Sequence, residues 1–129
     1  MRGQWRCALR KADPSRQRAE KRGHWGERRA AWWLRLHGWR ILAQRVRVPA
    51  GEIDLIAKRG ALVIFVEVKT RATAAELDLV IDAQTLRRVV AAVDAVGHVY
   101  APKGEGRRID AILIAPGRLP RHMVNVWDG

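Results

Sequence analysis

The chain has 129 residues, a single cysteine and a formal net charge of +12. That length suits one domain with a real hydrophobic core. Cys7 alone excludes an internal disulfide framework, and His24, His37, His98 and His122 show no paired metal-ligand spacing. No apolar run reaches a membrane span or a secretory core, so a reducing cytoplasm is the expected compartment, with no membrane partner. The charge excess calls for a polyanionic partner, most simply nucleic acid.

Residues 1–22 carry eight Lys/Arg against Asp13 and Glu20 and are broken at Asp13-Pro14-Ser15. They read as a flexible basic arm able to touch phosphates non-specifically. Residues 23–129 read as the folded domain. A first helix is expected over 24–37, stopped by Gly38. Ala30, Ala31 and Leu34 follow Glu27 at i+3, i+4 and i+7, so a carboxylate lies on or beside the apolar stripe. A Glu there faces an ion or a basic partner, or it serves the helix dipole. Trp32 and Trp33 are adjacent and point to different faces, so one of them packs on the sheet. Residues 39–48 read as an edge strand, with Arg45 and Arg47 alternating with Val46 and Val48 as a basic, solvated face.

Pro49-Ala50-Gly51 then turns the chain into GEIDLIAKRGALVIFVEVKTR, residues 51–71. This reads as a hairpin with its turn at Lys58-Arg59-Gly60. Pairing Lys58 with Ala61 places Asp54 opposite Phe65, with Glu67 as its diagonal neighbour on the same face. A slip of two keeps these acids together; a slip of one separates them. Asp54, Glu67 and Lys69 therefore converge in a run that is otherwise buried sheet, where an unpaired carboxylate is costly. Two carboxylates can hold Mg²⁺, and a lysine beside them can orient a water or stabilise developing charge. The alternative is an amphipathic hairpin whose charges face water. The Asp…Glu-x-Lys pattern resembles the signature of restriction-endonuclease-like nucleases.

After Arg71 comes a connection of unassigned structure. A second helix is expected over 82–97, with Leu86, Val89, Val90, Val93 and Val96 as its buried stripe and Gly97 as its end. Gln84, Arg87 and Arg88 lie on its other side, as phosphate contacts or as a solvated face. A loop over 101–106 leads to a strand over 107–115 with Asp110 just inside it, and Leu119 to Trp127 hold a last strand. The fold class is α/β: a mixed sheet flanked by two helices, one of which crosses over after the third strand.

Several landmarks together resemble one family. Gly23-x-x-Gly26-Glu27-x-x-Ala30, Gly51-Glu52-Ile53-Asp54-Leu55-Ile56-Ala57, Phe65-Val66-Glu67-Val68-Lys69-x-Arg71, Arg108-x-Asp110 and His122-x-x-Asn125 are similar, in order, to motifs of the YraN-type bacterial proteins. The resemblance runs from about Gly23 to Trp127 and leaves the basic arm outside. It implies a restriction-endonuclease-like fold close to Holliday-junction resolvases. It also implies a metal-dependent endonuclease acting on DNA, branched or structured, with Mg²⁺ or Mn²⁺ as cofactor and a homodimer as the working form. Asp54, Glu67 and the Val68 carbonyl would hold the metal, with Glu27 completing the acidic site and Lys69 positioning water. Arg71, Gln84, Arg87 and Arg88 would meet the nucleic acid, with Thr85 standing where the family commonly has Lys. Two other readings fit the same residues: a nucleic-acid-binding module without chemistry, and an assembly partner of a nucleoprotein complex.

Overall fold

The computed structural model describes residues 14–71 and 82–127, with side chains from His24 onward. Helix α1 (Pro14–Leu36) is followed by strands β1 (Arg40–Val48), β2 (Gly51–Arg59) and β3 (Leu62–Thr70). Helix α2 (Ala83–Tyr100) then leads to β4 (Gly106–Ile114) and the short β5 (Arg121–Met123). The five strands form one sheet in the order β1-β2-β3-β4-β5, with β1 at an edge as expected. Only β3 and β4 are parallel, and α2 makes the crossover between them. A parallel pair needs such a long connection, whereas β1-β2-β3 close through two-residue turns.

Three of the expected elements shift, and the last strand is the simplest case: of Leu119 to Trp127 only Arg121–Met123 is strand. Helix α1 begins at Pro14, ten residues before His24. Residues 14–22 show no apolar period, which hid a helix that Pro14, suited to a first turn, can open. The rest of the arm, residues 1–13, and the connection 72–81 lie outside the described residues. Helix α2 runs through Gly97 to Tyr100. A Cβ at Gly97 would meet only the tip of the flexible Arg107 side chain.

The sheet is buried on both faces. Ala30, Ala31 and Leu34 of α1 pack on Leu55, Ala57, Ile64, Val66, Val68, Ile112 and Ile114. Val89, Ala92 and Val93 of α2 pack on Ile53, Ile56, Val63, Phe65 and Ile109. Alternate residues of β3 thus serve opposite helices, which is why this strand reads as a continuous apolar run. Each fully buried Ile, Leu or Phe contributes about 1.5–3 kcal/mol. Trp33 joins the α1 side of this core, while Trp32 is exposed with Arg35 over its ring.

The hairpin turns at Gly60-Ala61, with Gly60 at φ +61. Arg59 pairs with Leu62 and Ile56 with Phe65, so the register is two residues from the expected one. Because the difference is even, every side chain keeps its face. Seating α2 on β2 depends on Gly51, where a Cβ would run into the Arg88 carbonyl. That obstacle is backbone and cannot swing aside. Gly51→Ala is expected to destabilise the fold by about 1–3 kcal/mol in urea unfolding. An unchanged midpoint would mean that α2 does not rest there.

Candidate active site at the open end of the hairpin

The β2–β3 pairing stops at Leu55↔Val66. One step further, the Asp54 carboxylate replaces the backbone of β2, and its Oδ2 accepts the Val68 N–H at 2.8 Å. The N–H and C=O of one strand residue point to the same edge. The Val68 carbonyl therefore faces the same gap, past the end of the ladder.

Glu67 is buried and shares a hydrogen bond with Asp54. Burial, then the Asp54 charge, pushes the Glu67 carboxyl well above the ordinary range. Burial also raises Asp54, against the opposing pull of the Val68 amide and the Glu67 bond. Two carboxyl groups this close and this dry hold a proton between them. Lys69 Nζ lies 3.2 Å from Glu67 Oε1 and supplies a positive charge at the rim. The convergence of Asp54, Glu67 and Lys69 expected from the hairpin is what the fold contains.

Glu27 reaches this end of the sheet because α1 comes close to β3. A Cβ at Gly26 would collide with the Thr70 hydroxyl. The Glu27 carboxylate is turned to β1, where Arg45 Nε donates to Oε1 at 2.7 Å and Nη2 to Oε2 at 3.4 Å. Burial, then the charge of Asp54, pushes Glu27 up to about 7. The Arg47 charge opposes that rise, and Glu52 adds to it. Among the described residues no three Asp, Glu, His or Cys side chains converge closely enough to hold a metal ion by themselves.

The second helix brings its N-terminus to the same place. Asp82 caps α2 by accepting from the Thr85 amide at 2.8 Å and the Thr85 hydroxyl at 3.0 Å. Those bonds hold Asp82 below its ordinary value, and the Lys69 charge adds to the effect. Thr85 is thus spent on the cap. Gln84, Arg87 and Arg88 are exposed on the first turns, and Arg88 sits over Gly51, three residues before Asp54. Arg71 is half-buried at the end of β3, donating through Nη1 to the Thr70 carbonyl and through its amide to Ile114.

Two features escaped the sequence reading. Arg45, taken for part of a solvated face, is bound to Glu27. Asp110, noted just inside its strand and within a motif but given no role, is completely buried and collects Arg108, His122 and the Asn125 amide. Only the motif spacing pointed toward the second, and nothing local pointed toward the first.

The donor set can be tested against a metal. Two carboxylates and a main-chain carbonyl are all hard oxygen ligands, and Mg²⁺ is commonly held by one or two carboxylates with waters completing its shell. The residues fit Mg²⁺ or Mn²⁺. No helix among the described residues is long and apolar enough to cross a membrane.

The fold has a counterpart among solved structures. Hjc of Archaeoglobus fulgidus, a Holliday junction resolvase from an archaeal hyperthermophile, superposes with a TM-score of 0.54 and 21% identity over 76% of this chain and 72% of that one. That likeness is one of fold, and it makes the sheet restriction-endonuclease-like. A protein of Erythrobacter litoralis is 63% identical over 88% of this chain and 97% of its own length. A protein of Sphingopyxis alaskensis is 58% identical over 88% and 98%. Both are named only as UPF0102 proteins, and the model of that family matches residues 26–114. The chain belongs to the uncharacterised protein family UPF0102, as the YraN-type motifs implied.

Proposed function

We propose that this protein is a metal-dependent endonuclease that hydrolyses phosphodiester bonds of DNA. The observation that carries the reading is the pair of dry carboxyl groups, Asp54 and Glu67, left together at the broken end of a ladder beside Lys69. Such a pair is costly to keep in a fold unless a cation is meant to replace its proton. Asp54, Glu67 and the Val68 carbonyl would hold Mg²⁺ or Mn²⁺, which lowers the pKa of bound water and neutralises phosphate charge. Lys69 keeps Glu67 company in the resting protein. During reaction its ammonium would stabilise the negative charge that develops on the phosphoryl oxygens. Val68 and Asp54 hold each other in place, so the ligands stay fixed while the substrate changes.

Branched DNA is the substrate class we favour, supported by the fold's likeness to a Holliday junction resolvase and by the +12 charge. A homodimer would present two sites to the two strands of a junction.

Calorimetric titration with Mn²⁺, with a DNA duplex present, tests the metal site. Wild type is expected to bind about one ion per chain and to release protons on doing so, because the shared proton must leave. Asp54→Asn is expected to lose that binding while keeping its DNA affinity. Metal binding unchanged by Asp54→Asn, or absent from wild type, would remove the mechanism and leave a nucleic-acid-binding module.

A further inference from the structure

Arg45 occupies an unusual position in β1. Gln44 pairs with Leu55 and Val46 with Ile53, so Arg45 stands directly across from Asp54. Its backbone has φ +55. This is the left-handed region, which L side chains seldom enter and which Asn tolerates best after Gly. The guanidinium spans the distance to α1 and grips Glu27 with two of its five N–H groups. Its side chain is 36% exposed, against 15% for Glu27. An arginine therefore sits in the wall of the acidic site, reachable from solvent, on a backbone that a smaller residue would fit better.

A residue held in a poorly tolerated conformation points to a use for its side chain. The planar fork that spans a carboxylate also matches two oxygens of a phosphate. We propose that Arg45 is a phosphate-binding residue of this site. Glu27 holds the guanidinium in the resting protein, and a backbone phosphate of the nucleic acid takes it over on binding. The exchange places a cation beside the entering strand and releases the Glu27 carboxylate toward Asp54. Glu27 also offsets Arg45 while the site is empty of substrate, so the wall presents a neutral pair rather than a bare charge. The proposal rests on the nuclease reading only for where the strand lies.

The test uses the full chain, a labelled four-way DNA junction and EDTA, so that binding is read without cleavage. Arg45→Asn removes the fork and suits the backbone. It is expected to keep or raise the melting temperature while weakening junction binding about tenfold, the scale of a charge-assisted contact. The slope of log affinity against log salt is expected to shrink by about one phosphate contact. Arg45→Lys keeps the charge without the fork and is expected to fall between the two. Glu27→Gln frees the guanidinium and is expected to tighten binding, an effect that should vanish when combined with Arg45→Asn. Unchanged affinity and slope in Arg45→Asn would overturn the proposal. So would a lowered melting temperature with unchanged affinity, since Arg45 would then be a clamp for Glu27. If wild type binds through Arg45 yet fails to cleave with Mn²⁺, the nuclease reading falls and the phosphate site stands.

Discussion

Replacing Lys69 by methionine is expected to lower the metal-dependent cleavage rate by about 10²–10³-fold, the scale of losing one preorganised charge at a reacting centre. The fold and the metal site are expected to survive. Lys69 is partly exposed, and the proton between Asp54 and Glu67 limits the charge it must balance. The loss should appear in kcat and in kcat/KM alike, because the ammonium acts on charge present only in the transition state. Mn²⁺ affinity is expected to hold or to rise, since a cation is removed from beside the ligands. Asp54→Asn differs in kind, because on the proposed reading it is expected to remove metal binding and cleavage together. The contrast is measurable by single-turnover cleavage of a branched substrate, with calorimetry on the same samples. A Lys69→Met protein that cleaves at the wild-type rate would reduce Lys69 to a counter-ion of Glu67. The reading would then need another group to stabilise the developing charge.

How far the chain could be read before its structure was known varies by residue, for physical reasons. The central hairpin was legible because a two-strand apolar pattern and Gly60 are both local signals. Its register was not, since a glycine can take either place in a two-residue turn; here it takes the first, with Ala61 second. The error left the site intact because strand faces repeat every two residues. The Glu27 stripe was legible through Ala30, Ala31 and Leu34, which are the residues that α1 buries. The partner of Glu27 was not, because it lies on another element and depends on a left-handed φ in mid-strand. A Gly or Asn at 45 would have announced that conformation, and an Arg conceals it. Gly97 looked like a helix stop, but the helix runs on through it to Tyr100. Thr85 looked like a lost cation, but it closes the cap with Asp82. For Glu27 the missing information was a contact between elements distant in sequence, and for Thr85 it was a cap only three residues away.

Asp110 is where such distant contacts are concentrated, and removing it is expected to have the largest effect on stability. Its carboxylate is completely buried. It accepts from Arg108 Nε and Nη2, both at 2.8 Å, and from the Asn125 amide at 2.9 Å, with His122 Nε2 at 2.8 Å. Asp110→Ala would strand these donors around an empty space, at a cost of about 3–5 kcal/mol. Domains of this kind are stable by about 5–15 kcal/mol in all, so the melting temperature should fall by well over 10 °C. The damage should be greatest in β5 and the following segment, because His122 and Asn125 tie them to β4. Hydrogen exchange at 121–126 is expected to accelerate before that of β3. The pH dependence has a definite sign. Burial raises the Asp110 carboxyl, but the bonds from His122, Arg108 and the Asn125 amide outweigh it and leave it below its ordinary value. An acid depressed in the folded state contributes fully above its unfolded pKa of about 3.9 and loses that contribution as pH falls toward the folded value. Wild type should therefore weaken steeply below about pH 4, and Asp110→Asn should show a shallower acid limb from a lower starting stability. Thermal melts of both proteins from neutral to acid pH decide the matter. Parallel acid limbs would mean that Asp110 carries its proton into the fold, and the four-way grip on an ionised carboxylate would have to be abandoned.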